Sequence, residues 1–467
     1  MRRKSPRDAK GNLPPGPRGN FFLGSAVELG RSSMKFLTRC AREYGDIVYL
    51  RFFGTPLCLL THPTDIEYVL VKNPANFVKS RDYRALKPVL GNGLLTNEGA
   101  SWQKQRKLVQ PTFRHENTER YADVMVLATT RMLDRWRDGE TRDIHQQMMA
   151  LTLEIVAEAL FGSDVSGHAS GVEQALGVMM NQFDSMAGLA FLLPEKFPIP
   201  STLRFKRSVA RLDKIIYRII HERRTERRAA KKDLLEMLLR SQDEEGSRMS
   251  DEQLRDEVMT LFLAGHETTA NALSWTWYLL AQHPEIEARL LQEITTVLDG
   301  SVPTARDVMR LPYTEMVVKE SMRLYPPAWA VGRQAVGEFE MGGYKFPAGT
   351  NVAILQWSTQ RDPRFFSEPE KFDPERWSAE SVKRNALPRF AYFPFGGGPR
   401  VCVGAGFAMM EAILLLATMA QRYRMTLVAK RKVKLLPSVT LRPRNGIQMV
   451  LHRVHSAAHA VKVPQAV

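Results

Sequence analysis

Residues 393–404 read Phe-Pro-Phe-Gly-Gly-Gly-Pro-Arg-Val-Cys-Val-Gly, and a long apolar helical pattern begins directly beyond Gly404. Three successive glycines and a proline exclude helix and strand, so this segment must be a loop. Its thiol, Cys402, is pinned at the mouth of a helix by a backbone that can bring N–H groups close to sulfur. That arrangement suits a soft anionic metal ligand, because the thiolate is the form that binds metal. Two plainer readings stand beside it. A lone cysteine is commonly a small buried hydrophobe. The Gly396/Gly398 pair could belong to a dinucleotide loop, but no strand-loop-helix unit with a downstream acidic ribose partner follows it.

A chain of 467 residues can bury a large core, and its 44% apolar and 25% charged content is that of a globular protein. Three cysteines (Cys40, Cys58, Cys402) are too few and too scattered for a disulfide framework, so a reducing, cytoplasmic setting is expected. The start of the chain holds no apolar stretch fit for a signal peptide. The longest apolar run, 412–420, is about half the roughly 20 residues a bilayer span needs, so no transmembrane segment is expected. The formal net charge of +16 favours acidic partners. No nucleic-acid motif stands out, which leaves an acidic protein, or simply a solvated surface.

Leu13-Pro14-Pro15-Gly16-Pro17 reads as a stiff extended leader. Short β-type runs follow at 47–52 and 57–61, then a mostly helical stretch to about residue 330. Helix interruptions are expected at Phe161-Gly162, at 197–200 and at 243–246. After Pro326 come short β-type segments, the glycine loop, one more helix to about Gln421, and terminal strands. The division expected is a leader over 1–20, a single mainly α domain with a smaller β-rich lobe over 21–455, and a tail over 456–467. The arginine-rich stretch 204–232 reads as a solvated helix, with a membrane-surface helix as the second reading.

Ser250-Asp251-Glu252-Gln253 has the form of a capping box and opens a helix that can run to Pro284, ~50 Å at 1.5 Å per residue. Its middle, Ala264-Gly265-His266-Glu267-Thr268-Thr269, is locally unfavourable, because glycine costs about 1 kcal/mol and threonine can bond back to the i−4 carbonyl. A tolerated kink is the plain reading. Glu320 and Arg323 share one face of a helix that must end before Pro326-Pro327, ordinarily a surface pair worth a few tenths of a kcal/mol. Trp102 and Arg106 lie one helical turn apart, which also fits an amphipathic helix with a snorkelling arginine.

Taken together, F-G-x-G-x-R-x-C-x-G over 395–404, Ala264-Gly265-x-Glu267-Thr268, Glu320-x-x-Arg323, Pro374-Glu375-Arg376-Trp377 and Trp102-x-x-x-Arg106 resemble the cytochrome P-450 family along nearly the whole chain. The resemblance implies the cytochrome P-450 fold and a non-covalent haem b with Cys402 as the metal ligand. Phe395 would lie against the haem, while Trp102, Arg106 and Arg400, and with lower rank Arg333, would meet its propionates. It implies a structural triad of Glu320, Arg323 and Arg376, with Trp377 standing where phenylalanine is more usual. Thr268 would supply the distal hydroxyl and Glu267 would relay protons from solvent, while small Ala264 and Gly265 let the macrocycle approach. His266 occupies the variable position of the motif and reads as structural.

The implied activity is that of a haem-thiolate monooxygenase acting on a lipophile such as a fatty acid or terpenoid. The substrate would be lined by Ala264, Leu192 and Trp329, by 81–95, 183–193 and 327–331, and by 438–441. Arg81 and Arg84 are candidates for a fatty-acid carboxylate. With no fused redox module expected, electrons would come from an acidic ferredoxin or flavodoxin with its reductase, docking near Lys104, Lys107 and Arg114 on a monomer. A peroxide-driven peroxygenase and a non-enzymatic haem sensor or electron carrier are the rival readings; the Glu267-Thr268 pair argues against both.

Overall fold

The computed structural model describes residues 13–20, 22–162, 178, 202–225, 233–244, 246–428 and 432–454. The organising element is the helix Asp251–Leu280. It starts at the expected capping box: Gln253 N–H donates to Ser250 Oγ at 3.2 Å and Ser250 N–H to Gln253 Oε1 at 3.1 Å. Side chains are buried on nearly every side of it, polar ones included, so it runs through the interior rather than over the surface. It packs against the helices Ile144–Phe161, Leu203–Thr225, Pro312–Leu324 and Ala405–Ala420.

Two details of this helix differ from expectation. It ends at Leu280, because Gln282 and His283 close tight turns onto Leu279 and Leu280 (both 3.0 Å) and free Pro284 to open the next helix. Its middle is not broken. Thr268 Oγ1 donates to the Ala264 carbonyl at 2.6 Å, satisfying the hydroxyl inside a continuous helix.

The strands, in chain order, are β1 (Ile47–Phe52), β2 (Thr55–Leu60), β3 (Phe77–Lys79), β4 (Thr141–Asp143), β5 (Val331–Ala335) and β6 (Phe339–Met341). They continue with β7 (Tyr344–Phe346), β8 (Asn351–Ile354), β9 (Tyr423–Leu427), β10 (Leu435–Pro437), β11 (Leu441–Pro443) and β12 (Gln448–Arg453). The largest sheet has the order β1-β2-β8-β5-β3, with β2 and β8 parallel. Smaller sheets are β4-β12-β9, β6-β7 and β10-β11. Phe53 (φ 46°) and Gly54 (φ 81°) are both left-handed, which is the two-residue hairpin geometry that matches strand twist.

The boundary expected at residue 20 does not coincide with an edge of the packing. Tyr49 N–H of β1 donates to the Pro15 carbonyl at 3.0 Å, and Gly24 bridges to Phe52. A proline-rich segment offers free carbonyls, and an edge strand needs partners for its N–H groups.

One large hydrophobic cluster joins the helices, and two smaller ones line the main sheet. The helix Leu203–Thr225 buries Phe205, Val209, Leu212, Ile216, Ile219 and Ile220, each contributing ~1.5–3 kcal/mol before entropy. Its lysines and its arginines other than Arg223 are exposed, while Arg223 turns inward to Asp233 at 2.6 Å, so over the described residues the apolar stripe is already used by the core. Among the described residues no helix is long and apolar enough to cross a membrane. The architecture is mainly α with a smaller β-rich lobe.

Candidate active site

The glycine loop takes its shape from two left-handed residues, Gly396 (φ 72°) and Gly398 (φ 68°). A Cβ on Gly398 would run into the Leu70 carbonyl oxygen, so both backbone freedom and close approach demand glycine there. The loop turns back so that Cys402 N–H donates to the Phe395 carbonyl at 2.9 Å. Gly404 then caps the core helix Ala405–Ala420.

The Cys402 thiol is reachable by solvent yet hemmed in by protein atoms. Burial pushes its pKa up, while the Gly404 N–H and the Arg106 charge pull it down. Cys40 and Cys58 are different: both are buried, and burial drives Cys40 to about 12 and Cys58 well above its ordinary value. Those two are packing residues, and of the three cysteines Cys402 is the one that offers a thiol to a ligand.

Around the loop, Arg400 lies with its guanidinium carbon 4.6 Å from the centre of the buried Trp102 ring. Its Nη2 pairs with Glu98, and its Nη1 is buried with no protein partner. Arg106 reaches the loop itself, donating from Nη1 to the Val401 carbonyl at 2.8 Å. Arg333 is buried beside Tyr83, Arg400 and Glu98, and donates to the Gly332 carbonyl at 2.8 Å. Lys79, which carries no motif, joins this group. Its Nζ donates to the Leu94 and Asn97 carbonyls at 3.0 and 2.8 Å, and its backbone N–H donates to Glu98. Burial first, and then the Arg400 charge, lower its pKa to about 7. Three cations thus converge around Glu98, an arrangement that calls for further anionic groups.

The expected triad is present and larger than expected. Arg323 meets Glu320 side-on through Nε and Nη2, both at 2.8 Å, and both residues are fully buried. Arg376 Nε donates to the same carboxylate at 3.2 Å, and the Asp373 N–H donates to it at 3.1 Å. Trp377 is more than a change of bulk, because its indole N–H donates to Glu320 at 3.0 Å. Arg323 also caps the carbonyls of Gln360, Pro369 and Lys371 at 2.9, 2.7 and 3.0 Å. Direct bonds to the segment entering the glycine loop come from elsewhere. Gln356 donates to the Phe393 carbonyl and Gln360 accepts the Phe393 N–H, and Tyr392 Oη donates to the Lys319 carbonyl at 3.1 Å.

On the long helix, Ala264 is exposed between buried Leu263 and partly exposed Gly265, and Thr268 one turn on is partly exposed. A Cβ on Gly265 would meet the Val156 side chain at 3.3 Å, so its smallness also serves helix packing. His266 bonds the Met149 carbonyl at 3.0 Å, and burial lowers its pKa to about 4, in keeping with a structural histidine. Glu267 is buried and faces the C-terminal strands, accepting bonds from Arg442 and from Thr440 Oγ1. Thr269 bonds Glu411 of the core helix, a carboxyl that burial raises to about 8.

Of the expected substrate segments, Leu192 and the rest of 183–193 lie outside the described residues. Trp329 donates its indole N–H to the Ser438 carbonyl at 2.8 Å, and Leu441 N–H to Pro327 at 2.9 Å, so these two segments are neighbours. Arg84 Nε is spent on the Arg81 carbonyl at 3.2 Å. Lys104 and Lys107 are paired with Asp243 and Glu244 at 2.6 and 2.8 Å, while Arg114 stays exposed. No local signal marks Lys79, Gln356, Gln360, Arg442 or Glu411; each acquires its role from a partner far away in sequence.

The donor set fits a haem. It has an accessible thiol at a helix N-terminus, an unpartnered buried guanidinium nitrogen in a cationic cluster suited to two propionates, and a small exposed alanine on the distal helix.

The sequence profile of the family described as "Cytochrome P450" matches residues 14–450. The chain is 37% identical to cyclooctatin synthase of Streptomyces melanosporofaciens, over 91% of this chain and 92% of that protein. It is 34% identical to pentalenene oxygenase of Streptomyces avermitilis, over 86% and 89%. A cyanobacterial cytochrome P450 solved with retinoic acid superposes with a TM-score of 0.83 at 27% identity, covering 95% of this chain and all of that one. With a family profile across almost its whole length and relatives of this similarity, the chain belongs to the cytochrome P450 family.

Proposed function

We propose that this haem b monooxygenase oxidises a lipophilic cyclic terpenoid with electrons delivered by a separate acidic protein. The observation that carries the haem chemistry is the accessible Cys402 thiol beneath a backbone N–H, beside an unpartnered Arg400 nitrogen. When bound, the haem supplies O₂ activation, and thiolate ligation favours O–O cleavage. Cys402 would ligate it, Arg400, Arg106 and Trp102 would hold its propionates, and Arg333 and Lys79 would add positive charge nearby. Thr268 presents a hydroxyl on the distal surface beside Ala264. Glu267 is the nearest carboxyl in sequence and moves protons toward that hydroxyl. The terpenoid reading is supported by the relatives named for cyclooctatin, for cyclooctat-9-en-7-ol and for pentalenene.

The docking surface for the electron donor is revised from the sequence reading, since Lys104 and Lys107 are neutralised within the chain. Arg389, exposed beside the glycine loop, borders a shallow depression of about 360 Å³ lined by Lys319, Tyr392, Gly396, Gly397 and Met409. With Arg114, it offers an acidic partner a route to the cysteine side.

Cys402→Ser should remove the red-shifted Soret band that a thiolate ligand gives the reduced carbon monoxide complex. Spectral titration with cyclic terpenes, terpene alcohols and fatty acids, followed by product analysis with a ferredoxin system, tests the substrate. Tighter binding of fatty acids than of cyclic terpenoids overturns that part. Charge reversal at Arg389 that leaves the reduction rate and its salt dependence unchanged overturns the docking surface.

A further inference from the structure

Gln360 uses all of its hydrogen-bonding groups inside the core. Its side-chain oxygen accepts the Phe393 N–H at 3.2 Å. Its amide nitrogen donates to the Met322 and Arg323 carbonyls, both at 3.0 Å, near the C-terminal end of the helix Pro312–Leu324. Its backbone carbonyl accepts Arg323 Nη1 at 2.9 Å. Gln356, also fully buried, donates to the Phe393 carbonyl from the other side. Its oxygen has no partner.

The backbone of Phe393 is therefore held at its N–H and at its C=O, in the two peptide groups that flank its Cα, which restrains both. Two residues on, the Phe395 carbonyl accepts the Cys402 N–H. The guanidinium bonds of Arg323 and Arg376 fall on Glu320 and on residues 360–371, and Gln360 is where that rigid cluster meets the segment entering the loop.

We infer that Gln360 is a positioning residue for the Cys402 sulfur: one amide couples the Glu320–Arg323 cluster to the Phe393–Phe395 turn that holds the cysteine backbone. Gln356 is the weaker half of the grip, since it makes one side-chain bond and leaves an oxygen unsatisfied. Oily packing of Phe393 alone would leave the turn free to slide, whereas directional bonds at both edges do not. The inference rests on Cys402 being the axial ligand.

The test compares haem-loaded Gln360→Leu, Gln360→Glu and Gln356→Leu with wild type and with Val317→Ala. Val317 is a buried residue of the same helix that takes no part in the grip. The readouts are the share of the reduced carbon monoxide complex with the red-shifted band and the reduction potential. Gln360→Leu should raise the share lacking that band severalfold and shift the potential, Gln356→Leu should do so less, and Val317→Ala should lower thermal stability only. Should Gln360→Leu not fold, Gln360→Glu carries the test, since it keeps the acceptor for Phe393 N–H but loses the paired donors. An unchanged band and potential in the Gln360 variants, or an equal change in Val317→Ala, overturns the inference. Absence of the band in wild type would overturn the ligand assignment instead.

Discussion

Glu267 of the distal helix is ion-paired with Arg442 of strand β11, 175 residues further along the chain. Thr440 Oγ1 donates to the same carboxylate oxygen, and Asn271 Nδ2 donates to Thr440 at 3.1 Å. The carboxyl next to Thr268 is thus tied to the C-terminal strands, so the proton relay proposed for it and the fold's closure would share one ion pair. Removing Arg442 and removing Glu267 should therefore have different consequences.

Arg442→Ala strands a buried carboxylate and should cost about 3–5 kcal/mol. Glu267→Gln keeps the shape and an acceptor for Thr440, and should cost less stability while lowering product formed per electron consumed. Urea unfolding and the product-to-NADPH ratio check the pair. Equal stability losses with no change in coupling would contradict it.

Thr268→Ala removes a hydroxyl whose bond is to its own helix carbonyl. Stability should change by no more than ~0.5–1 kcal/mol, because back-bonding adds little to a helix and alanine is the better helix former. Product formation should fall ~10²-fold, the low end for loss of a proton-transfer group, with peroxide released instead. Thermal unfolding and peroxide assays read the two effects separately.

Trp377→Phe restores the more usual side chain but deletes the indole N–H bond to Glu320. A hydrogen bond to a buried charged group is worth ~1.5–3 kcal/mol, so the variant should fold with a loss in that range. Glu320→Ala should do far worse and fail to retain haem. Chemical denaturation checks the first, and haem content per chain the second.

Burial raises the Glu411 carboxyl to about 8 from its ordinary 4.5, against the Thr269 hydrogen bond that lowers it. Between those values the folded chain holds a proton that the unfolded chain has lost, so this group's contribution to stability falls as pH rises from about 4.5 to about 8. Glu411→Gln should therefore gain on wild type steadily across that window. Unfolding free energies of both proteins at the two ends of the window measure it; a constant difference would refute the assignment.

Much was legible in the sequence because it is written in short-range geometry. The capping box at Ser250, the stop at Gly162, strand β1, the glycine loop and the Glu320–Arg323 face each depend on neighbours a few residues apart. The long helix was expected to run to Pro284 and stops at Leu280, because tight turns and a helix-opening proline compete within a few residues.

By itself the sequence determined the candidates for a haem-thiolate site: one thiol at a helix mouth, a hydroxyl beside a small residue on a core helix, and arginines at fixed spacing. Only the tertiary structure decided what each of them is tied to. Arg442 holds Glu267, Lys79 joins the cations around Glu98, Trp377 completes the Glu320 cluster, and Gln360 carries that cluster to the cysteine loop. The physical reason is burial. A polar group taken out of water must find a partner, and which partner it finds depends on how distant segments pack rather than on the residues beside it in the chain.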